Sequence, residues 1–163
     1  MGFQSVDELT TFSFEDCQIT GVKVTSEGIS LEVEALIVRP ENSQNTNFTT
    51  SYAGTTQIRL QAGKVVAGCK EGYKYYNANE ELISEKPDEA MDADTLTEIL
   101  KKADGAYLFS IMENKSPVAG QYRMGLEFVD ESEYGGMSDS YWLDFDCDKI
   151  IFNWERYMNR VQM

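Results

Sequence analysis

The sequence predicts a mainly β protein: an antiparallel β-sandwich or partly open barrel of roughly eight to ten strands, with one short α-helix at about residues 92–103. Three patterns lead there. Ile29, Leu31, Val33, Ala35 and Ile37 share one parity while Ser30, Glu32 and Glu34 take the other, the alternation of a strand with one buried and one wet face. Between Gln121 and Val129, Tyr122, Met124, Leu126 and Phe128 alternate in the same way with Gln121, Arg123, Gly125 and Glu127. Helical spacing stands out in one place, where Leu96, Ile99, Leu100 and Ala103 follow the i, i+3, i+4, i+7 rule.

Taken in order, Phe12 to Val38 reads as a long hairpin around which the rest must pack. Its first arm carries Phe12 and Phe14, then Cys17 and Ile19, then Val22 and Val24, with a parity slip at Glu15–Asp16 that a β-bulge would produce. Thr25-Ser26-Glu27-Gly28 is the turn, since its glycine tolerates positive φ. Arg39 to Asn47 is a polar loop. Strands resume at Phe48–Tyr52, Thr55–Gln61 and Lys64–Cys69, with Ala62-Gly63 as a tight turn. Phe48, Tyr52, Tyr73, Tyr75 and Tyr76 make the middle rich in aromatics. Buried, they are core, the commoner fate; exposed on one sheet, they can stack on sugar rings or peptide. The charged tail that follows, ending at Pro87, reads as a loop.

The helix has its start in Thr95-Leu96-Thr97-Glu98, a capping-box sequence, and its end at Asp104-Gly105, with Lys101 and Lys102 favouring the negative end of its dipole. Strands return over Gly105–Asn114, turn at Lys115-Ser116-Pro117 and continue over Gln121–Val129. A loop at Asp130–Asp139 precedes the closing strands. No repeat or linker divides the chain, so residues 1–163 are expected to form a single domain.

Composition narrows the function. Against 14 Lys and Arg stand 28 Asp and Glu, for a net charge of −14. Such a field repels phosphate backbones and anionic lipid, so no nucleic acid and no membrane is expected as partner, whereas a basic protein is attracted. Histidine is absent, which removes the usual general base and the commonest transition-metal ligand. The three cysteines, Cys17, Cys69 and Cys147, are odd in number and widely spaced, as reduced, buried thiols would be. With no secretory pattern at its start and no apolar run long enough for a span, the chain is expected to be cytoplasmic.

Two constellations lie in the last strands. Asp144, Asp146, Asp148 and Glu155 fall at the first, third, fifth and twelfth places of an EF-hand calcium loop. The sixth place is Lys149 where the sharp turn requires glycine, and apolar residues interrupt the ligands. A hairpin accounts for the same stretch, with Tyr141, Leu143 and Phe145 inward on one strand, a turn at Asp146–Lys149, and Ile150, Phe152 and Trp154 returning; no metal or cofactor is therefore expected. On the other parity Trp142, Asp144 and Asp146 share a sheet face, an indole beside two carboxylates suited to receiving a Lys or Arg from a partner. Adjacent acids such as Glu15–Asp16 and Glu80–Glu81 form no facing pair for glycoside hydrolysis.

Phe12, Phe14, Asp16 and Ile19 in an F-x-F-x-D-x-x-I pattern, with Phe152, Trp154, Glu155 and Tyr157 in a terminal F-x-W-E-x-Y, resemble small uncharacterised bacterial β-rich cytosolic proteins. Some of these are grouped with toxin-immunity proteins. The resemblance implies a non-enzymatic inhibitor of a basic protein. The rival expectations are a carbohydrate-binding or calcium-supported β-sandwich module and a hydrolase working with carboxylates alone.

Overall fold

In the computed structural model, which describes residues 2–114, 120–130 and 137–160, the hairpin of Phe12 to Val38 forms but is folded in two. The N-terminal strands are β1 (Phe3–Val6), β2 (Phe12–Ser13), β3 (Gln18–Thr25), β4 (Gly28–Glu34) and β5 (Ile37–Val38), with a 3-10 turn at Leu9–Thr11. β3 and β4 pair from Gln18↔Glu34 to Thr25↔Gly28. At the turn Gly28 has φ 139°, and a Cβ there would collide with the Leu60 carbonyl. Away from the turn both arms bend out of the sheet. Glu15–Asp16 is a turn rather than a bulge, and the register shift lies instead between Ile19 and Gly21. Ala35, at φ 60°, ends β4 and breaks the alternation, so that Leu36, Ile37 and Val38 are all buried. Past the bend β2 and β5 pair again, Phe12↔Val38, in a second sheet. Strands that change sheets at a bend are how two layers acquire a corner.

The chain continues through β6 (Ser51–Ala53), β7 (Thr56–Gln61), β8 (Lys64–Lys70), β9 (Tyr73–Tyr76), β10 (Leu82–Lys86) and β11 (Glu89–Met91) to the helix α1 (Ala93–Lys101). It closes with β12 (Tyr107–Glu113), β13 (Tyr122–Asp130), β14 (Met137–Asp146), β15 (Lys149–Trp154) and β16 (Tyr157–Arg160). The described strands outnumber the expected eight to ten because bends cut long ones and several short pieces find partners. Ten form one antiparallel sheet in the order β1-β15-β7-β4-β3-β12-β13-β14-β8-β11, and four form the second, β16-β6-β5-β2. The larger sheet has two flanks meeting at β3 and β12 through one pair, Gln18↔Tyr107. Inward residues of both flanks, such as Leu31 and Ile58 from one and Leu126 and Phe145 from the other, join a single core. The sheet does not close into a barrel.

Strands β14 and β15 exist as read, with Leu143, Phe145, Ile150, Phe152 and Trp154 buried. They do not form a hairpin. β14 pairs with β13 and β8, while β15 pairs with β1 and β7, so the tight turn at Cys147–Asp148 carries the chain from one flank to the other. Ala62–Gly63 does the same between β7 and β8, and the Asp148 amide donates to the Gln61 carbonyl where the two crossings meet. The helix lies against β8 and β3, one from each flank, and buries Leu96 and Leu100. Its N-cap is Asp92, whose carboxylate accepts from the Thr95 amide at 2.7 Å. Thr95 is therefore inside the first turn and not the cap.

Both ends of the chain supply one aromatic cluster. Phe12 stacks on Phe152 with centroids 3.9 Å apart, and Trp154 contacts Phe3, Phe12 and Tyr157. The apolar residues of the terminal patterns that carried the resemblance thus pack in one core, while Asp16 and Glu155 of those patterns are exposed. Met137 pairs with Asp130, which shortens the loop expected at Asp130–Asp139; residues 131–136 and the expected turn at Lys115–Pro117 lie outside the described residues.

Candidate functional site

Alternation along β14 sends Leu143 and Phe145 into the core and Trp142, Asp144 and Asp146 to the opposite face, as parity requires. Asp144 is nevertheless only 2% exposed. Its cross-strand neighbour on β13 is Arg123, whose Nε donates to Asp144 Oδ1 at 2.8 Å. The guanidinium carbon stands 5.5 Å from the Trp142 ring centre, and Phe109 of β12 meets the indole edge-on at 5.1 Å. The Asp144 hydrogen bond holds the Arg123 pKa above its ordinary value, although burial pulls the other way. The carboxylate and indole expected to receive a partner's cation already receive one from within the chain. Asp146 is the most exposed of the three, Trp142 being half-buried, and it accepts from the Gln121 amide at 2.8 Å.

The calcium-loop spacing is realised as strand, turn and strand. Asp144 is engaged with Arg123, Asp148 lies in the crossing turn, and Glu155 lies beyond β15. The twelve-residue ligand loop does not form, because Phe145, Ile150 and Phe152 are required in the core. Among the described residues no three Asp, Glu, Cys or His side chains cluster as a metal site. The thiols are unpaired and shielded: burial pushes Cys17 up to about 12 and Cys147 up to about 11, and raises Cys69 as well. None is a ready thiolate nucleophile near neutral pH.

The tyrosines of β9, expected in the core, lie instead on an exposed surface with β10, a strand in the charged tail expected to be a loop. These two strands form a separate two-stranded sheet, joined to neither larger sheet. Tyr75 is 55% exposed, Ile83 65%, and Tyr73, Tyr76 and Leu82 are exposed as well. Gly72 and Pro87 sit at the base of this arm, where the Gly72 amide donates to Asp88 Oδ1 and a Cβ on Gly72 would collide with the Lys86 carbonyl. At the tip Asn77 accepts from the amides of Asn79 and Glu81, a turn built on a side-chain amide. Lys74 and Glu85 pair across the strands at 3.7 Å. The tyrosines are outside because they occupy both parities of β9 and, among the described residues, neither face of the ribbon is covered. Phe48 is also exposed, whereas Tyr52 is half-buried and donates to Asp16 Oδ2 at 2.8 Å.

Comparison with protein-family models, with curated proteins and with solved structures finds no match. The chemistry of the surface must therefore be read from the chain. An isolated two-stranded ribbon is marginal in water, and monomers rarely display so many large apolar side chains together. Among the described residues no helix is long and apolar enough to cross a membrane. Arg123 was visible in the sequence as a polar-parity residue of its strand. Its place opposite Asp144 depends on strand pairing, which no local signal announces.

Proposed function

We propose that this chain is a non-enzymatic acidic binding protein that engages a basic protein through the β9–β10 arm, in the manner of a bacterial cytoplasmic immunity-type inhibitor. The observation that carries the reading is the arm's exposed apolar surface, formed by Tyr73, Tyr75, Tyr76, Leu82 and Ile83. Aromatic side chains displayed on a projecting element are the usual anchors of a protein interface. The sign of the partner follows from the net charge of −14, which steers a basic surface inward at long range. Absence of histidine and shielding of the thiols favour binding over covalent chemistry. Asp146, exposed on the face of β14, remains available as a rim contact; Trp142 and Asp144 serve the fold first.

The test is co-purification from the source organism, followed by binding of the isolated partner to the wild type and to a Tyr75→Ser, Ile83→Ser double variant across a salt series. A basic partner is expected, with a fast on-rate that falls as the Debye length shrinks from ~30 Å at 0.01 M to ~8 Å at 0.15 M salt. Affinity should drop by about a hundredfold or more in the double variant, with an unchanged melting temperature. An acidic partner, or equal affinity of the two proteins, overturns the proposal.

A further inference from the structure

Among the described residues, the bend at Glu15–Asp16 leaves a strand edge without a pairing strand. β12 is held by β13 along its length, but its other side meets β3 only at Tyr107↔Gln18. Beyond that pair β3's chain has turned away into β2, and no described strand pairs with residues 109–113 on that side. The Asn114 amide bonds to the Gln121 carbonyl on the β13 side. By antiparallel alternation the backbone groups of Ile111 and Glu113 therefore point the opposite way, into the gap. Across the gap stand the 3-10 turn at Leu9–Thr11 and β2, the terminal strand of the second sheet, with Leu9, Thr10, Phe12 and Ser13 lining it. A cleft of about 1130 Å³ covers this gap, reaching from Phe14 and Glu15 on one wall to Ile111, Met112 and Glu113 on the other, and continues past β12 over Arg123 and Trp142 of the neighbouring strands.

We infer that this cleft is a slot for an extended, basic peptide segment of a partner protein, which would pair with the free edge of β12. Three observations choose that occupant. First, the edge offers donors and acceptors at every second residue, which only another extended backbone satisfies in series. Second, the size suffices: a strand residue fills roughly 160 Å³ at ordinary strand and sheet spacings, so the whole cleft holds at most on the order of seven, enough to match residues 109–113 of β12 with the remainder lying over Arg123 and Trp142. Third, the charges lining it lean negative. Asp7, Glu15 and Glu113 face Arg39 and Arg123, and Arg123 is already bound to Asp144. Neither Glu15 nor Glu113 has an ion-pair partner among the described residues. A second copy of the chain fits poorly, since each copy carries −14 and would bring its own acids to the edge. The slot is separate from the β9–β10 arm and stands whether or not the arm binds.

The probe is a capped nonapeptide of alternating lysine and valine, tested against the wild type and Glu113→Pro. Proline removes the outward amide at a position where edge strands tolerate it. Peptide binding should slow hydrogen exchange at the amides of Ile111 and Glu113 by tenfold or more, and Glu113→Pro should weaken binding by about tenfold, the worth of roughly one hydrogen bond. If that variant does not fold, the exchange measurement on the wild type decides alone. Three outcomes overturn the inference: no binding or no protection at those two amides; equal binding of a backbone N-methylated peptide, which marks charge adhesion only; or protection without peptide that grows with protein concentration, which marks a second copy.

Discussion

Arg123 and Asp144 face each other across β13 and β14 as a direct strand pair, with Nε and Oδ1 2.8 Å apart, the carboxylate buried and the guanidinium partly in water. The two ends of this contact are not equivalent. Arg123→Met leaves an ionised carboxylate enclosed without its cation, whereas Asp144→Asn leaves an amide that still accepts and an arginine that retains the Trp142 ring and solvent. Arg123→Met is therefore expected to cost about 2–4 kcal/mol and Asp144→Asn about 1 kcal/mol. Urea unfolding of both measures the order; a larger loss for Asp144→Asn contradicts it.

The helix start offers a second comparison. Asp92 caps the Thr95 amide, and that hydrogen bond holds its carboxyl below the usual range. Asp92→Ala should lower the melting temperature by more than Thr95→Ala does, the reverse of what a cap at Thr95 implies. Thermal unfolding of the two variants separates the alternatives.

Gly68 sits in β8 between Met91 and Leu143, with φ 155° and the helix above it. A Cβ there would strike the Trp142 carbonyl and come within 2.7 Å of Leu96 Cδ1. Gly68→Ala should cost more than about 2 kcal/mol, because the obstacle is backbone and cannot swing aside. Gly105→Ala meets nothing within 4 Å and pays only for its φ of 91°, so it should cost less.

The shielded thiols make stability depend on alkaline pH. Below the ordinary thiol value of 9.0 both folded and unfolded chains keep their protons and the stabilisation is complete. Above it the unfolded chain releases the proton while Cys17 holds its own up to about 12 and Cys147 up to about 11, so stability falls across that window. Each thiol contributes at most about 1.4 kcal/mol per pH unit. Cys17→Ala should flatten the curve between pH 9 and 12 relative to the wild type, whatever its offset at pH 7, and an unchanged slope in chemical denaturation would refute the assignment.

What the sequence showed well was local. Alternation in Ile29–Val33 and Tyr122–Phe128 marked strands and their inward faces, and the spacing of Leu96 and Leu100 marked the helix and its buried side. It misled where two strands adjacent in sequence lie apart in space: nothing in Asp144–Trp154 reveals that β14 and β15 belong to opposite flanks. The same ignorance of pairing hid Arg123 from Asp144, and so turned an internal ion pair into an expected partner contact. Ala35 was counted within the alternating run although its φ of 60° ends it, because nothing in an alanine's identity signals that conformation. The tyrosines of β9 read as core because aromatic composition cannot tell a covered face from an uncovered one.

The position of β15 bears on how the protein is made. It lies between β1 and β7, pairing Phe3 with Trp154 and Thr56 with the same tryptophan. During synthesis β1 and β7 both emerge long before β15 exists, so each must wait with a bare hydrogen-bonding edge until the chain has been made through Trp154. Pairings that distant are slow to form, and the intermediates that precede them are prone to stick to one another. A messenger truncated before Lys149 would thus release not a smaller folded domain but a chain with two open edges and Phe12 deprived of Phe152, a substrate for chaperones and proteases.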